Sequence, residues 1–327
     1  MLPEAFLTRL KEQLGDEFDD YLRSLDRPRA VALRFNPLKT ENFPNLPFTE
    51  EPVPWADFGH YYTPDARPGL HVWHEAGLYY LQEASAMAPV TLLAPQPGEI
   101  VLDLCAAPGG KTTQIAGRML GEGFLLCNEI NPKRAKILSR NIERMAVSNA
   151  LVTNEHPANL AQRFPGFFDR VLVDAPCSGE GMFRRQIEAR DEWSENSPRG
   201  CADRQMEILH EAAKMLAPGG VMVYSTCTFN DTENEGVLAR FTAAHPEFTL
   251  EAFSLPGLPS GEKGWAHLYP HEIRGEGHFV SLLRKCAQAP GAAAREEWRG
   301  EALKVECFGE NSPVDCFCRI SRPEYRN

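Results

Sequence analysis

From Ile100 onward the hydrophobic pattern switches repeatedly between two periods. Short, nearly continuous apolar runs alternate with longer stretches in which apolar positions recur every three or four residues. The first pattern suits strands buried on both faces and the second suits helices that cover them, so the alternation predicts a parallel sheet between helical layers. Strands are expected at 100–104, 123–127, 150–153, 170–174 and 220–226, with a late strand at 277–284. The clearest helices span 112–119, 132–145, 204–216 and 231–241. Asn131 supplies an N-cap ahead of Pro132 in the first turn, and Pro218-Gly219-Gly220 reads as a helix stop feeding the next strand.

Ahead of this region the pattern differs. Phe6, Leu7, Leu10, Leu14, Phe18, Tyr21, Leu22 and Leu25 keep a helical period that breaks at Gly15-Asp16, which predicts two short amphipathic helices. Residues 29–36 alternate like a half-exposed strand and end at Pro37. Proline then recurs through 41–69, so turns and short strands are expected there. Residues 77–89 lead into a short helical stretch and then the Pro-rich break at 95–98. These changes divide the chain into a smaller N-terminal α+β domain at 1–88 and an α/β domain at 89–285. Residues 286–327 turn rich in Ala, Gln and Gly, as a flexible linker and short tail would.

Composition changes this picture little. At 43% hydrophobic and 24% charged residues the chain matches an ordinary globular protein. No apolar run approaches the roughly 20 residues of a membrane-spanning helix, and the N-terminus lacks a signal-peptide pattern, so a cytoplasmic protein with no membrane partner is expected. The nine cysteines are scattered, and the close group Cys307, Cys316 and Cys318 has no zinc-site spacing; reduced thiols and no metal follow. A net charge of −11 argues against non-specific coating of nucleic acid. Specific docking needs only a local basic face, for which Arg184-Arg185 is the first candidate. Oligomeric state is left open.

Three stretches at expected strand ends carry chemistry. Val171-Leu172-Val173-Asp174-Ala175-Pro176-Cys177-Ser178-Gly179 puts an acid and a thiol at the carboxyl edge of the sheet, where open α/β folds bind ligands. Asp103-Leu104-Cys105-Ala106-Ala107-Pro108-Gly109-Gly110-Lys111-Thr112 runs from a strand through a glycine-containing loop into a helix. Gly110-Lys111-Thr112 would end a P-loop, but Cys105 replaces its first glycine. The other reading is a nucleotide-like cofactor lying across the strand tips, with Glu129 on the ribose hydroxyls. Tyr224-Ser225-Thr226-Cys227-Thr228 sets a second thiol at the tip of the strand after Asp174, and adjacent parallel strands would bring Cys177 and Cys227 to one rim. An electropositive neighbour such as Lys111 could lower a thiol's pKa there.

Together, and in this order, the three stretches resemble the motifs of the Nop/Sun family of RNA cytosine-C5 methyltransferases, closest to bacterial members that modify small-subunit ribosomal RNA. Residues 77–86, Asn128-Glu129, 231–236 and 277–280 extend the likeness over roughly 30–285. The resemblance implies a Rossmann-like methyltransferase domain behind an N-terminal RNA-docking domain. It implies S-adenosylmethionine as methyl donor, and a cytidine C5 in ribosomal RNA or the small ribosomal subunit as acceptor. In such a site Cys227 adds to C6, Cys177 aids release, Asp174 holds the N3 and N4 edge of the base, and Lys111 helps fix the pyrimidine. Cys105, Ala106, Ala107, Pro108, Gly109, Gly110 and Lys111 would wrap the methionine end of the donor with Asp174; Glu129 would bind the ribose, with Arg134 beside it. Two departures stand out. Asn154 or His156 occupies the place of an Asp that many relatives put near the adenine, and the family's C-terminal RNA-binding extension is apparently missing after Lys285. Other readings are an RNA-binding ribosome-assembly factor without turnover, C5 methylation of tRNA, and a P-loop NTPase.

Overall fold

Residues 2–185, 187–289, 304–308 and 317–321 are described in the computed structural model. Helix α1 (Glu4–Leu14) ends where Gly15 takes a positive φ of 55°, and after one 3-10 turn α2 (Phe18–Leu25) follows. Strands β1 (Ala32–Phe35), β2 (Thr49–Pro52) and β3 (Gly59–Tyr62), then the single-turn α3 (Val72–Glu75) and β4 (Tyr79–Leu81), build an antiparallel sheet in the order β2-β3-β1-β4. All four residues of β1 are buried, not half-exposed. Leu33 and Phe35 pack with Leu46 and Tyr79 on one face, while Ala32 and Arg34 are covered from the other side by the larger domain. The alternation recorded an arginine that is polar but internal.

Helix α4 (Ala88–Leu93) leads into β5 (Ile100–Asp103), α5 (Gly110–Met119), β6 (Phe124–Asn128), α6 (Pro132–Arg144), β7 (Ala150–Thr153), α7 (Pro157–Arg163) and β8 (Phe168–Asp174). Then come α8 (Ile187–Glu192), α9 (Ser197–Met215), β9 (Leu216–Thr226), α10 (Glu235–Ala244), β10 (Phe248–Leu250), β11 (Trp265–Leu268) and β12 (His278–Lys285). The parallel core runs β7-β6-β5-β8-β9, and β12 continues it antiparallel, with β10 and β11 both pairing to β12. Strand order reverses between β5 and β8, which opens a crevice at their carboxyl ends. Successive residues feed opposite faces: Val101, Leu125, Leu172 and Val223 join one apolar cluster, while Leu102, Leu126, Val171 and Met222 join the other. In the stretch expected as linker and tail, β13 (Lys304–Phe308) pairs antiparallel with β14 (Phe317–Ser321). The side chains of Cys307, Cys316 and Cys318 lie outside the described residues. Among the described residues no helix is long and apolar enough to cross a membrane.

Pro218-Gly219-Gly220 lies inside the start of β9. Helix α9 has already ended at Met215, and the proline-glycine run absorbs a register shift: Leu216 opposes Phe168, yet Val221 opposes Arg170. Gly220 is needed there, because a Cβ would lie 2.9 Å from the Asp169 carbonyl.

The N-terminal sheet is bound tightly to the larger domain. Arg34, fully buried, donates from Nε to Gln82 Oε1 (3.0 Å) and from Nη2 to Thr113 Oγ1 (2.8 Å) and the Gly110 carbonyl (3.1 Å), tying β1 to α5. Burial lowers its pKa to about 9. Asn36 Nδ2 donates to the carbonyls of Gly77 (2.9 Å) and Met145 (2.8 Å). At Gly77 φ is +72°, and a Cβ would sit 1.9 Å from the Arg144 carbonyl. Gly77→Ala should therefore cost about 3 kcal/mol or more through overlap and strain. Gly98→Ala, also at positive φ but with nothing within 4 Å, should cost only about 1–2 kcal/mol. Urea denaturation of the two variants checks the difference; equal losses would mean the backbone contact at Gly77 yields.

Candidate active site

Strands β8 and β9 pair in parallel with Asp174 opposite Ser225, so the loops beyond them leave the sheet at the same height. Their two thiols meet: Cys177 Sγ lies 3.3 Å from Cys227 Sγ, and both are free cysteines. The hydrogen bond with Cys227, and then burial, push the Cys177 thiol well above its usual range. Cys177 thus stays protonated and can donate to Cys227. Asp174 receives Ser225 Oγ on Oδ1 (2.8 Å) and Lys111 Nζ on Oδ2 (2.8 Å), with His278 Nε2 at 3.5 Å from Oδ1. Burial pushes this carboxyl up, but the Lys111 charge and the neighbouring His278 outweigh it and hold it well below the usual carboxylate range. Lys111 points at Asp174, so its charge serves the carboxylate.

Glu233, fully buried just before α10, holds the two loops together. Its carboxylate accepts the Ser178 amide (2.9 Å), the Ser178 hydroxyl and Gln205 Nε2 (2.9 Å); Ser178 Oγ also bonds Thr228 Oγ1 (2.9 Å). Ser178 follows Cys177 and Thr228 follows Cys227, so one carboxylate fixes the backbone beside both thiols. Burial raises the Glu233 pKa to about 7, against its hydrogen bonds with Ser178 and Gln205. The Gly181 amide donates to the Cys227 carbonyl (2.9 Å), an approach that a Cβ at Gly181 would obstruct. From the N-terminal side Phe6 packs edge-on against Phe183 and Tyr21 against Phe229, while Arg9 pairs with Glu180 at 2.6 Å. The N-terminal helices therefore brace both cysteine loops.

A cavity of about 830 Å³ opens at these strand ends. Cys105, Ala107, Glu129, Arg134, Asp174, Cys177 and Cys227 line it, whereas Ala106, Pro108, Gly109, Gly110 and Lys111 do not. Ala106 N donates to the Asn128 carbonyl (2.8 Å), Gly109 starts α5 at a φ of 110°, and Gly110 packs on Tyr80. These residues shape the loop. Glu129 is buried on the cavity wall and accepts the Asn131 amide on Oε1 (2.9 Å), so it keeps acceptor capacity toward vicinal hydroxyls. Arg134, itself on the cavity wall, bridges Glu129 (3.3 Å) and the Ala107 carbonyl (2.7 Å) and so ties two lining residues together. Of the two residues expected near an adenine, His156 lines the cavity, whereas Asn154 Nδ2 donates to the backbone carbonyls of Glu129 (2.7 Å) and Ile130 (2.9 Å).

The Arg184-Arg185 pair does not act as a unit. Arg184 is held internally by Glu276 (2.8 Å) and the Ser24 carbonyl (2.8 Å), which removes it as a phosphate contact; Arg185 is exposed. Three residues escaped the sequence reading: Glu233, His278, and Asp103, whose Oδ2 accepts Thr112 Oγ1 (2.7 Å) and whose pKa burial raises to about 7. Asp103, the strand-end acid that opens its motif, carried a signal. Glu233 and His278 carried none beyond their place in stretches of family likeness. Among the described residues no His, Cys, Asp and Glu cluster could hold a metal ion.

Comparison with known proteins agrees with this geometry. A family model for the 16S rRNA methyltransferases RsmB/F matches residues 90–284, and a model for the N-terminal domain of 16S rRNA methyltransferase RsmF matches residues 2–84. The ribosomal RNA small subunit methyltransferase F of Escherichia coli O127:H6 (strain E2348/69 / EPEC) is 39% identical over 310 residues, covering 88% of this chain and 64% of that protein. The chain thus spans about 64% of the length of that curated relative. Among solved structures, PH0851 superposes with a TM-score of 0.80 at 29% identity, covering 87% of this chain and 66% of that one. A methyltransferase homolog protein from Pyrococcus horikoshii superposes with a TM-score of 0.69 at 29% identity, covering 83% of this chain and 91% of that one. With two thiols at adjacent strand tips and one family model on each side of the fold, the chain belongs to the RsmB/F family of 16S rRNA methyltransferases, within the Nop/Sun RNA cytosine-C5 methyltransferases.

Proposed function

We propose that the protein methylates C5 of a cytidine in small-subunit ribosomal RNA from S-adenosylmethionine, through a covalent bond between Cys227 and C6. The observation that carries this is the 3.3 Å approach of Cys177 to Cys227 beside an ionised Asp174. Cytosine C5 is a weak nucleophile until a thiolate adds at C6. Cys227 Sγ forms that bond as its proton leaves, N3 gains a proton, and the Asp174 carboxylate accepts a hydrogen bond from the N3 and N4 edge. An acid held ionised suits this accepting role. S-adenosylmethionine, when bound, supplies the electrophilic methyl group that C5 takes. The C5 proton then leaves to water at the rim, its electron pair restores the C5–C6 double bond, and the C6–S bond breaks. Cys177, kept as a thiol, gives its proton to the departing Cys227 sulfur, and N3 releases its proton through solvent to restore the Cys177 thiol and leave neutral 5-methylcytosine.

Glu129, Cys105 and Ala107 form the donor's seat, while Lys111 positions Asp174. Residues 1–88 dock the RNA and 89–285 carry the reaction. Arg185, exposed in the loop beyond β8, and Arg29, half exposed beside Glu276 (3.8 Å), both lie near enough to Tyr62 of β3 to lower its pKa against burial, a basic and aromatic spot between the N-terminal sheet and that loop suited to a splayed single strand.

Wild-type protein with labelled S-adenosylmethionine should transfer methyl to cytosine in naked small-subunit RNA or immature subunits; no transfer to either would leave an RNA-binding assembly factor as the reading. Cys177→Ala should accumulate a denaturant-resistant protein–RNA adduct and Cys227→Ala should form none, each losing on the order of 100-fold or more in turnover. Equal behaviour of the two in an adduct gel overturns the division of roles.

The folded Glu233 binds a proton that the unfolded chain, with an ordinary pKa of 4.5, gives up at lower pH. Its contribution is fully present below about pH 4.5 and is lost as pH rises through about 7. Relative to Glu233→Gln, the wild type should lose roughly 2 kcal/mol between pH 5 and 8. Urea unfolding at both pH values measures it; parallel curves would place the carboxyl's titration elsewhere.

A further inference from the structure

The chain carries a net charge of −11, yet helix α6 holds five basic residues against one acid, Glu143. Its inner side is fixed. Ala135, Leu138 and Ile142 are buried, and Asn141 Nδ2 donates to the Pro108 carbonyl (2.8 Å) in the loop between β5 and α5. Lys133, Lys136, Ile137 and Arg140 are left exposed on the outer side. Lys133, Ile137, Arg140 and Arg144 recur at helical spacing and form one row along the axis, with Lys136 beside it. Lys133 and Arg140 lie two turns, about 10 Å, apart.

Among the described residues neither Lys133 nor Arg140 pairs with an acid or hydrogen-bonds through its side chain. By contrast Arg9, Arg118, Arg170, Arg184 and Arg274 are each matched by a carboxylate. Like charges three and four residues apart weaken a helix, so the row destabilises α6 unless an anion lies along it.

Both ends of the row meet parts of the fold already described. At its start Asn131 and Arg134 line the catalytic cavity. At its end Arg144 donates to the His74 carbonyl (2.6 Å) of the N-terminal unit and lies over the Tyr80 ring at 5.6 Å. Arg185 acts on the same ring: burial raises the Tyr80 phenol, while Arg144, Arg34 and Arg185 oppose it. The row therefore runs from the basic and aromatic spot at Tyr62 to the mouth of the cavity. A phosphodiester backbone, with a negative charge at every nucleotide, follows such a row whatever its bases. An acidic protein segment would match the charge but has no reason to lead into the cavity.

We propose that the outer face of α6 is a phosphate track that holds the single strand beside the target cytidine, with Lys133 and Arg140 each on a phosphate. The track rests on the reading of the substrate as RNA.

The test is fluorescence anisotropy of a labelled single-stranded RNA carrying one cytidine, titrated with the full chain at about 50 to 200 mM salt. Lys133→Ala/Arg140→Ala should bind about tenfold or more weakly at the lowest salt. It should also lower the slope of log K against log salt by about 1.4, since each phosphate neutralised on a single strand contributes about 0.7. Lys133→Arg/Arg140→Lys should keep the wild-type slope, as should Lys11→Ala/Lys263→Ala, which removes two exposed charges from other faces. An unchanged slope in Lys133→Ala/Arg140→Ala, or an equal loss in Lys11→Ala/Lys263→Ala, would overturn the proposal. S-adenosylhomocysteine affinity, read by calorimetry, should be the same in wild type and Lys133→Ala/Arg140→Ala; a matching loss there would assign the effect to a disturbed cavity and overturn the track. An oligoglutamate peptide that binds wild type more tightly than the RNA, and is lost in the same variant, would give the face to an acidic protein segment instead. No RNA binding by the wild type at the lowest salt would overturn both the substrate reading and the track. If wild type binds RNA with the α6-dependent slope yet transfers no methyl group, the proposed reaction fails and the track stands.

Discussion

The arrangement at the strand ends depends on the parallel register of β8 against β9. Side chains on a strand alternate faces, so a slip of one residue would exchange Val173 and Tyr224 with Leu172 and Val223 between the two apolar clusters. It would also separate Asp174 from Ser225 and carry Cys177 away from Cys227. The register is set at the far end of the strands, where the run through Gly220 takes up extra residues before Val221 meets Arg170. A bulge remote from the chemistry therefore decides whether two sulfur atoms can touch.

Charge around the site is managed by pairing and by neutralisation. Asp174 stays ionised because Lys111 and His278 face it, whereas Glu233 and Asp103, with only neutral donors, sit near pH 7. The difference follows the partners: a buried carboxylate needs a nearby positive charge to keep its own, and hydrogen bonds alone leave it closer to the neutral form. Carboxylic acids thus do different work within one set of loops, Asp174 as a charged acceptor and Glu233 as a clamp.

The sequence made the parallel core legible because strands buried on both faces and helices with one apolar side are the strongest periodic signals. Its motifs brought Cys177, Cys227, Asp174 and Lys111 forward, and all four meet in the fold. Long-range partnership was what local pattern could not carry. Arg34 reads as the polar half of an alternating strand, yet it is internal because α5 comes to cover it. Arg184 reads as half of a basic pair, yet Glu276 and the Ser24 carbonyl claim it from distant parts of the chain. Glu233 sits among ordinary polar residues in sequence and gains its role only when the two cysteine loops fold over it.

Gly77 has a consequence for timing. Backbone meets backbone there so closely that even a methyl group has no room, and Arg34 and Asn36 knit the same seam, so the N-terminal unit is no hinged lid. If the entrance cannot widen by swinging one unit from the other, then in the proposed reaction the deformation needed to deliver a cytosine falls on the RNA. Under that proposal modification would be gated by the folding schedule of the RNA: open while the target strand is unpaired, closed once it has stacked and locked.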